Sequence, residues 1–186
     1  METQGSFFQN GNRANGRRAG REDDAMISQD QKHWDAVYGG KSPDRVSWYR
    51  PHLDRSLRFL ETAGIGRAAA IIDVGGGAST FVDDLIHRGY SNVTVLDLSQ
   101  RALELAAARL GDRASAVTWI CADVTQADLA ADAYDFWHDR AVFHFLTDPQ
   151  ARSRYVDAAR KALRPGGTSS SRRSGHMAPR SAAGWR

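Results

Sequence analysis

The run Ala69-Ala70-Ile71-Ile72-Asp73-Val74, followed at once by Gly75-Gly76-Gly77, constrains this chain more than any other stretch. A continuous apolar run of that length suits a strand buried on both faces of a parallel sheet. The glycines after it permit positive φ and put no side chain between the backbone and a ligand. Phe81, Leu85 and Ile86 then mark a helix that stops near Gly89. The alternation continues with a strand over Val93–Asp97, a helix carrying Ala102, Leu105, Ala106 and Leu110 up to Gly111, and strands over Val117–Asp123 and Tyr134–Asp139. A last helix, Tyr155–Leu163, runs into Arg164-Pro165-Gly166-Gly167. Strands alternating with helices predict a doubly wound α/β sheet.

Two helices precede this unit. One spans Ser28–Tyr38, with Ser28 as a candidate cap and Gly39-Gly40 as its stop; the other spans Leu53–Ala63 and stops at Gly64. An aromatic loop, Val46–Pro51, joins them. Residues 1–25 have little apolar content and no periodicity, which predicts a disordered arm. The patterned sequence begins at Met26, a candidate biological start. The single Cys121 forms no internal disulfide, and no Cys/His spacing matches a zinc site. No apolar run approaches the length of a membrane span or a signal core, which predicts a cytoplasmic protein.

The open end of such a sheet is where ligands bind. Asp97, Asp123 and Asp139 end three successive strands there. Asp97 follows the glycines at the spacing that lets a carboxylate accept both hydroxyls of a ribose. Dinucleotide binding wants a third glycine where Thr80 stands, and a phosphate loop wants a lysine that the turn lacks. A nicotinamide dehydrogenase is therefore the weaker reading. A sulfonium nucleoside has no phosphate and suits a pocket with several carboxylates.

Five segments in order, Asp73-Val74-Gly75-Gly76-Gly77-Ala78-Ser79, Val95-Leu96-Asp97-Leu98-Ser99, Ala122-Asp123-Val124, Trp137-His138-Asp139-Arg140 and Leu163-Arg164-Pro165-Gly166-Gly167, resemble the class I S-adenosylmethionine-dependent methyltransferases. The opening His33-Trp34-Asp35 with Tyr38, and Ser47-Trp48-Tyr49, resemble the subgroup that includes elongation-factor lysine methyltransferases and bacterial relatives. The resemblance implies a Rossmann-like methyltransferase sheet and S-adenosyl-L-methionine as cofactor. It places Gly75 and Gly77 along the methionine portion, with Asp73 beneath them orienting the turn or reaching the amino group. Asp97 would bind the ribose, Asp123 the adenine amino group and the Val124 N–H the ring, with Leu98 on the adenine face. Asp139 would face the methyl donor and the substrate. The acceptor it implies is a protein lysine or a small molecule. No nucleic acid or membrane partner is expected, and a non-catalytic cofactor-binding or interaction module is the alternative.

Each singled-out residue also has a structural reading. Asp139 and His138 are the catalytic candidates, yet a histidine near a strand end, like His144 further on, is more often a packing residue. Trp34, Tyr38, Trp48 and Tyr49 serve as core or as a lid over the cofactor. Cys121 reads as a buried, inert strand residue.

After Gly167 the fold calls for a fifth apolar strand, but the sequence continues Thr168-Ser169-Ser170-Ser171-Arg172-Arg173-Ser174. Shifted back by one base, TCN serine codons become codons for Phe, Leu, Ile or Val, and CGN arginine codons become codons for small residues. Gly-Gly-His-Val-Val-Val-Ala-Thr-Phe is one allowed reading. The expectation is a methyltransferase domain over residues 26–167, truncated after its fourth strand and following helix, with a disordered or out-of-frame tail over 168–186. That tail, with Arg172, Arg173, Arg180 and Arg186 and no acid, contributes +4 to the formal charge of +3, and the rest of the chain sums to −1. The basic balance is thus not a nucleic-acid footprint.

Overall fold

The computed structural model describes residues 8–10, 21–40, 49–140, 142–173 and 176–181. Ser47 and Trp48 of the aromatic loop lie outside them. Among the described residues the strands are β1 (Phe8–Asn10), β2 (Ile71–Val74), β3 (Val93–Asp97), β4 (Val117–Cys121), β5 (Tyr134–Asp139), β6 (Leu163–Arg173) and β7 (His176–Ser181). The helices are α1 (Arg21–Gly40), α2 (Asp54–Thr62), α3 (Phe81–His87), α4 (Gln100–Leu110), α5 (Val142–Phe145) and α6 (Pro149–Ala162). They form one sheet in the order β1-β4-β3-β2-β5-β6-β7, in which only the β6–β7 pairing is antiparallel. This is the doubly wound arrangement expected from the alternation of elements.

Ile71, Ile72 and Val74 of β2 are fully buried, as a central strand covered on both faces requires. Side chains alternate across the sheet. Ile71, Val93, Val95, Trp119 and Phe136 pack with Leu57 and Leu60 of α2, Phe81 and Leu85 of α3 and Leu103 of α4. Ile72, Val74, Leu96, Ile120 and Trp137 pack on the other face with Tyr155, Ala159 and Ala162 of α6. The chain moves from β2 outward through β3 and β4, then returns to β5 on the other side of β2. That reversal opens a crevice beyond the carboxyl ends of β2 and its neighbours.

Three expectations from the sequence are corrected. The sheet does not stop after β5. β6 pairs with β5 from Leu163 to Ser171 and residues 176–181 pair back on residues 168–173, because strand pairing is made by backbone groups that serine supplies as well as valine. Residues 1–25 are not wholly outside the fold: Phe8–Asn10 pairs with Trp119, Ile120 and Cys121 on the free edge of β4, and α1 begins at Arg21, ahead of Ser28. The last helix also starts earlier, at Pro149, where Asp148 accepts from the backbone N–H groups of Gln150 and Ala151. Among the described residues, no helix is long and apolar enough to cross a membrane.

Candidate functional site

A cleft of 330 Å³ occupies the crevice at the switch point. The turn after β2 supplies Gly75 and Gly76, the end of β3 supplies Asp97 and Leu98, and the segment after β4 supplies Asp123 and Val124. Arg140 and Val142 line it beyond β5, while Asp30, Trp34 and Tyr38 of α1, with Tyr49, form the opposite wall.

The glycine turn is shaped by its neighbours. Gly75 has φ +70°, and a Cβ there would collide with the Val142 side chain. A Cβ on Gly76 would lie 2.6 Å from Asp73 Oδ2, and one on Gly77 would lie 2.7 Å from Asp97 Oδ2. Backbone is therefore pressed against two carboxylates, which only glycine permits. Gly77 lies behind the cleft wall, against Asp97 and Ala102.

Asp97 Oδ1 accepts from the Ser99 N–H at 2.8 Å. Burial pushes its pKa up to about 7; that N–H opposes the rise, and the charges of Asp73 and Asp35 add to it. Asp123 Oδ1 accepts from the Thr125 N–H at 2.8 Å, which fixes the loop after β4. Asp97, Leu98, Asp123 and Val124 thus form one continuous wall. Burial likewise raises the Cys121 thiol, to about 11, and Cys121 does not line the cleft.

Four of the sequence's candidates, Asp73, Gly77, His138 and Asp139, do not line the cleft. Strand alternation sends His138 and Asp139 to opposite faces of β5, and both side chains are buried. Asp139, expected to face the methyl donor, instead caps α5, with Oδ1 accepting from the Val142 N–H and Oδ2 from the Phe143 N–H. The Tyr155 hydroxyl also donates to Oδ2 at 2.7 Å and accepts from Trp137 Nε1. Burial raises the Asp139 pKa against these donors. His138 lies between Asp73 and Ser56, beneath the site. Asp73 is fully buried and supports the turn from below.

The sequence reading gave no role to Asp30, Asp35, Arg140 or Ser56. Asp35 ties α1 to the start of α4: the Ser99 hydroxyl and the Arg101 N–H both donate to its Oδ1. An acid meeting a helix start is the usual complement to exposed N–H groups. Trp34 stacks on Tyr38 and meets Phe145 edge-on, with ring centroids 5.7 Å apart, so aromatic side chains from α1 and α5 meet at the cleft. Phe145 is 62% exposed. The sequence signal for this wall was the helical spacing of Trp34 and Tyr38; the position of Phe145 depends on the Asp139 cap.

A family model described as a methyltransferase domain matches residues 71–167. EEF1A lysine methyltransferase 2 of Danio rerio is 29% identical over 121 residues, covering 62% of this chain and 52% of that protein. Malonyl-[acyl-carrier protein] O-methyltransferase of Anoxybacillus flavithermus is 34% identical over 82 residues, covering 43% of this chain and 30% of that protein. A solved structure concerned with converting a disulfide bond into a thioacetal group during echinomycin biosynthesis matches with TM-score 0.61 and 28% identity, over 75% of this chain and 58% of that one. Phosphoethanolamine N-methyltransferase 2 of Haemonchus contortus, in complex with S-adenosyl-L-methionine, shares the fold with TM-score 0.56 and 17% identity, over 82% of this chain and 33% of that one. The chain spans about half the length of the elongation-factor methyltransferase it matches.

Proposed function

The chain belongs to the methyltransferase domain family, and from that premise we propose that its cleft binds S-adenosyl-L-methionine and presents the methyl group to an amine, a protein lysine in the first instance. The observation that carries this reading is the Asp97 carboxylate, placed in the cleft beside a turn that only glycine can form. A ribose offers two hydroxyl donors to such a carboxylate, each charge-assisted bond contributing roughly 1.5–3 kcal/mol. The donor set fits the cofactor chemically: Asp30, Asp97 and Asp123 make an acidic cleft suited to a cation without phosphates.

In this reading Asp97 holds the ribose, Asp123 and the Val124 N–H meet the adenine edge, and Leu98 packs on its face. Gly75 and Gly76 admit the methionine portion, and Gly77 keeps Asp97 in place. Asp139 has no ligand role, since its oxygens serve α5 and Tyr155. When bound, the cofactor supplies a sulfonium methyl group that is already a strong electrophile. The chain's contribution is to exclude water and hold the acceptor in line, which supplies up to roughly 7–11 kcal/mol in favourable cases.

The lysine acceptor is supported by the Danio rerio relative's name and by the wall of Trp34, Tyr38, Tyr49 and Asp30, since aromatic faces beside a carboxylate attract a cationic side chain. A small-molecule acceptor is the second reading, favoured by the acyl-carrier-protein methyltransferase match. We place the protein in the cytoplasm and the cofactor-binding part of its methyltransferase unit in residues 26–167. We also propose that residues 168–186 stand in a shifted reading frame, which lowers stability and turnover. In support, Ser169 and Ser170 are buried, and the Ser170 hydroxyl has no hydrogen-bond partner.

The test is formation of S-adenosyl-L-homocysteine by the purified chain with lysine-containing protein fractions or small-molecule extracts. Release with protein fractions supports the lysine reading, and release only with small molecules transfers the proposal to the second reading. Binding of the cofactor without release under either condition leaves a non-catalytic module.

A further inference from the structure

Asp73 and His138 are register partners on β2 and β5, so their side chains leave the sheet on the same face. His138 Nδ1 lies 2.6 Å from Asp73 Oδ1, and His138 Nε2 lies 2.9 Å from Ser56 Oγ of α2. The exposures of Asp73, His138 and Ser56 are 0%, 1% and 5%. The geometry has the sequence of contacts found in a hydrolytic triad, but its serine is enclosed in the core rather than open to a substrate.

A carboxylate only accepts, so the proton between Asp73 and His138 resides on Nδ1. The Ser56 hydroxyl faces Nε2 and can donate to that nitrogen when it carries no proton. In that arrangement of donors the trio carries one net negative charge, on Asp73. Asp73 Oδ2 is buried with no hydrogen-bond partner, directly under Gly76, which lines the cleft. A bare buried carboxylate oxygen is unfavourable by itself. Its charge is offset when a cation occupies the space above the turn.

We infer that Ser56, His138 and Asp73 form a positioning relay that keeps one uncompensated negative charge beneath Gly76, and that this charge selects a cationic sulfonium ligand over its uncharged thioether counterpart. The inference rests on the reading that the cleft takes S-adenosyl-L-methionine. It adds that discrimination between the methyl donor and its demethylated form comes from beneath the turn. Asp97 and Asp123, along the nucleoside wall, meet parts common to both ligands.

The experiment compares dissociation constants for S-adenosyl-L-methionine and S-adenosyl-L-homocysteine, by calorimetry at one pH, on the wild-type chain and Asp73→Asn. The preference for the sulfonium falls by at least about threefold in the variant, since a unit charge acts across a few ångströms of poorly screened protein. An unchanged preference, with both ligands bound, overturns the inference. If Asp73→Asn does not fold, the wild-type His138 ring is read by nitrogen-15 NMR. A protonated Nδ1 with a bare Nε2 between pH 6 and 8 supports the relay, and a doubly protonated ring overturns it. Failure of the wild-type chain to bind either ligand overturns the cofactor reading instead, and the ring spectrum still decides the relay.

Discussion

Asp97 makes the binding of a nucleoside to this cleft depend on pH within the neutral range. Its pKa, raised from 3.8 to about 7 chiefly by burial, leaves roughly one tenth of the carboxyl ionised at pH 6 and roughly nine tenths at pH 8. Only the ionised form accepts from both ribose hydroxyls. Affinity therefore rises about tenfold across that interval, levelling off above it. The assay is calorimetry with 5′-methylthioadenosine, which carries the adenine and ribose without an amino-acid group that titrates nearby. Asp97→Asn removes the dependence and weakens binding throughout. The stability of the unliganded protein moves the other way. A folded-state pKa above the unfolded value means the folded chain holds the proton more tightly, so the contribution is complete below about pH 4 and is lost as pH rises through about 7. Affinity that is flat from pH 6 to 8 in the wild-type chain would refute the reasoning, because it would mean that Asp97 is ionised throughout or does not touch the ligand.

Three further outcomes follow from the contacts. Tyr155→Phe removes the donor to Asp139 and the acceptor for Trp137 Nε1, costing about 1–3 kcal/mol in thermal or urea denaturation while leaving 5′-methylthioadenosine affinity within about twofold. A large loss of affinity would restore Asp139 to the ligand site. Gly77→Ala forces a Cβ onto Asp97 Oδ2, destabilising the fold by about 1–3 kcal/mol and weakening nucleoside binding roughly tenfold or more; unchanged binding would show that Asp97 is not held by this packing. Ser170→Ala deletes a buried hydroxyl without a partner and stabilises the chain by about 1 kcal/mol, read as a higher denaturation midpoint. A destabilised variant would count against β6 being polar in an apolar environment.

The central sheet was legible because β2 is covered on both faces and reads as an apolar run, and because Gly75, Gly76 and Gly77 follow it where side chains do not fit. Asp97, Leu98, Asp123 and Val124 were legible for the same reason: each follows a strand whose end the sequence marks. What the sequence left open were consequences of pleat and register. His138 and Asp139 are adjacent in the chain, yet the pleat turns one toward α2 and the other toward α6. No one-dimensional spacing shows which of them meets the cleft, and neither does. Asp35 and Ser56 act through partners 64 and 82 positions away, Ser99 and His138, so no local spacing gives their roles. Strands β1, β6 and β7 were missed because backbone pairing does not require the apolar pattern by which a strand is recognised. The signal for the early start of α6 was present in Asp148-Pro149, a cap followed by a residue suited to the first helical turn.

The most direct test of the cofactor site is calorimetric titration of the 186-residue chain with S-adenosyl-L-methionine, alongside Asp97→Ala. The account predicts one saturable site in the wild-type chain and its loss in the variant, with both proteins melting cooperatively. Undiminished binding in Asp97→Ala, or no binding by a cooperatively folded wild-type chain, would contradict it.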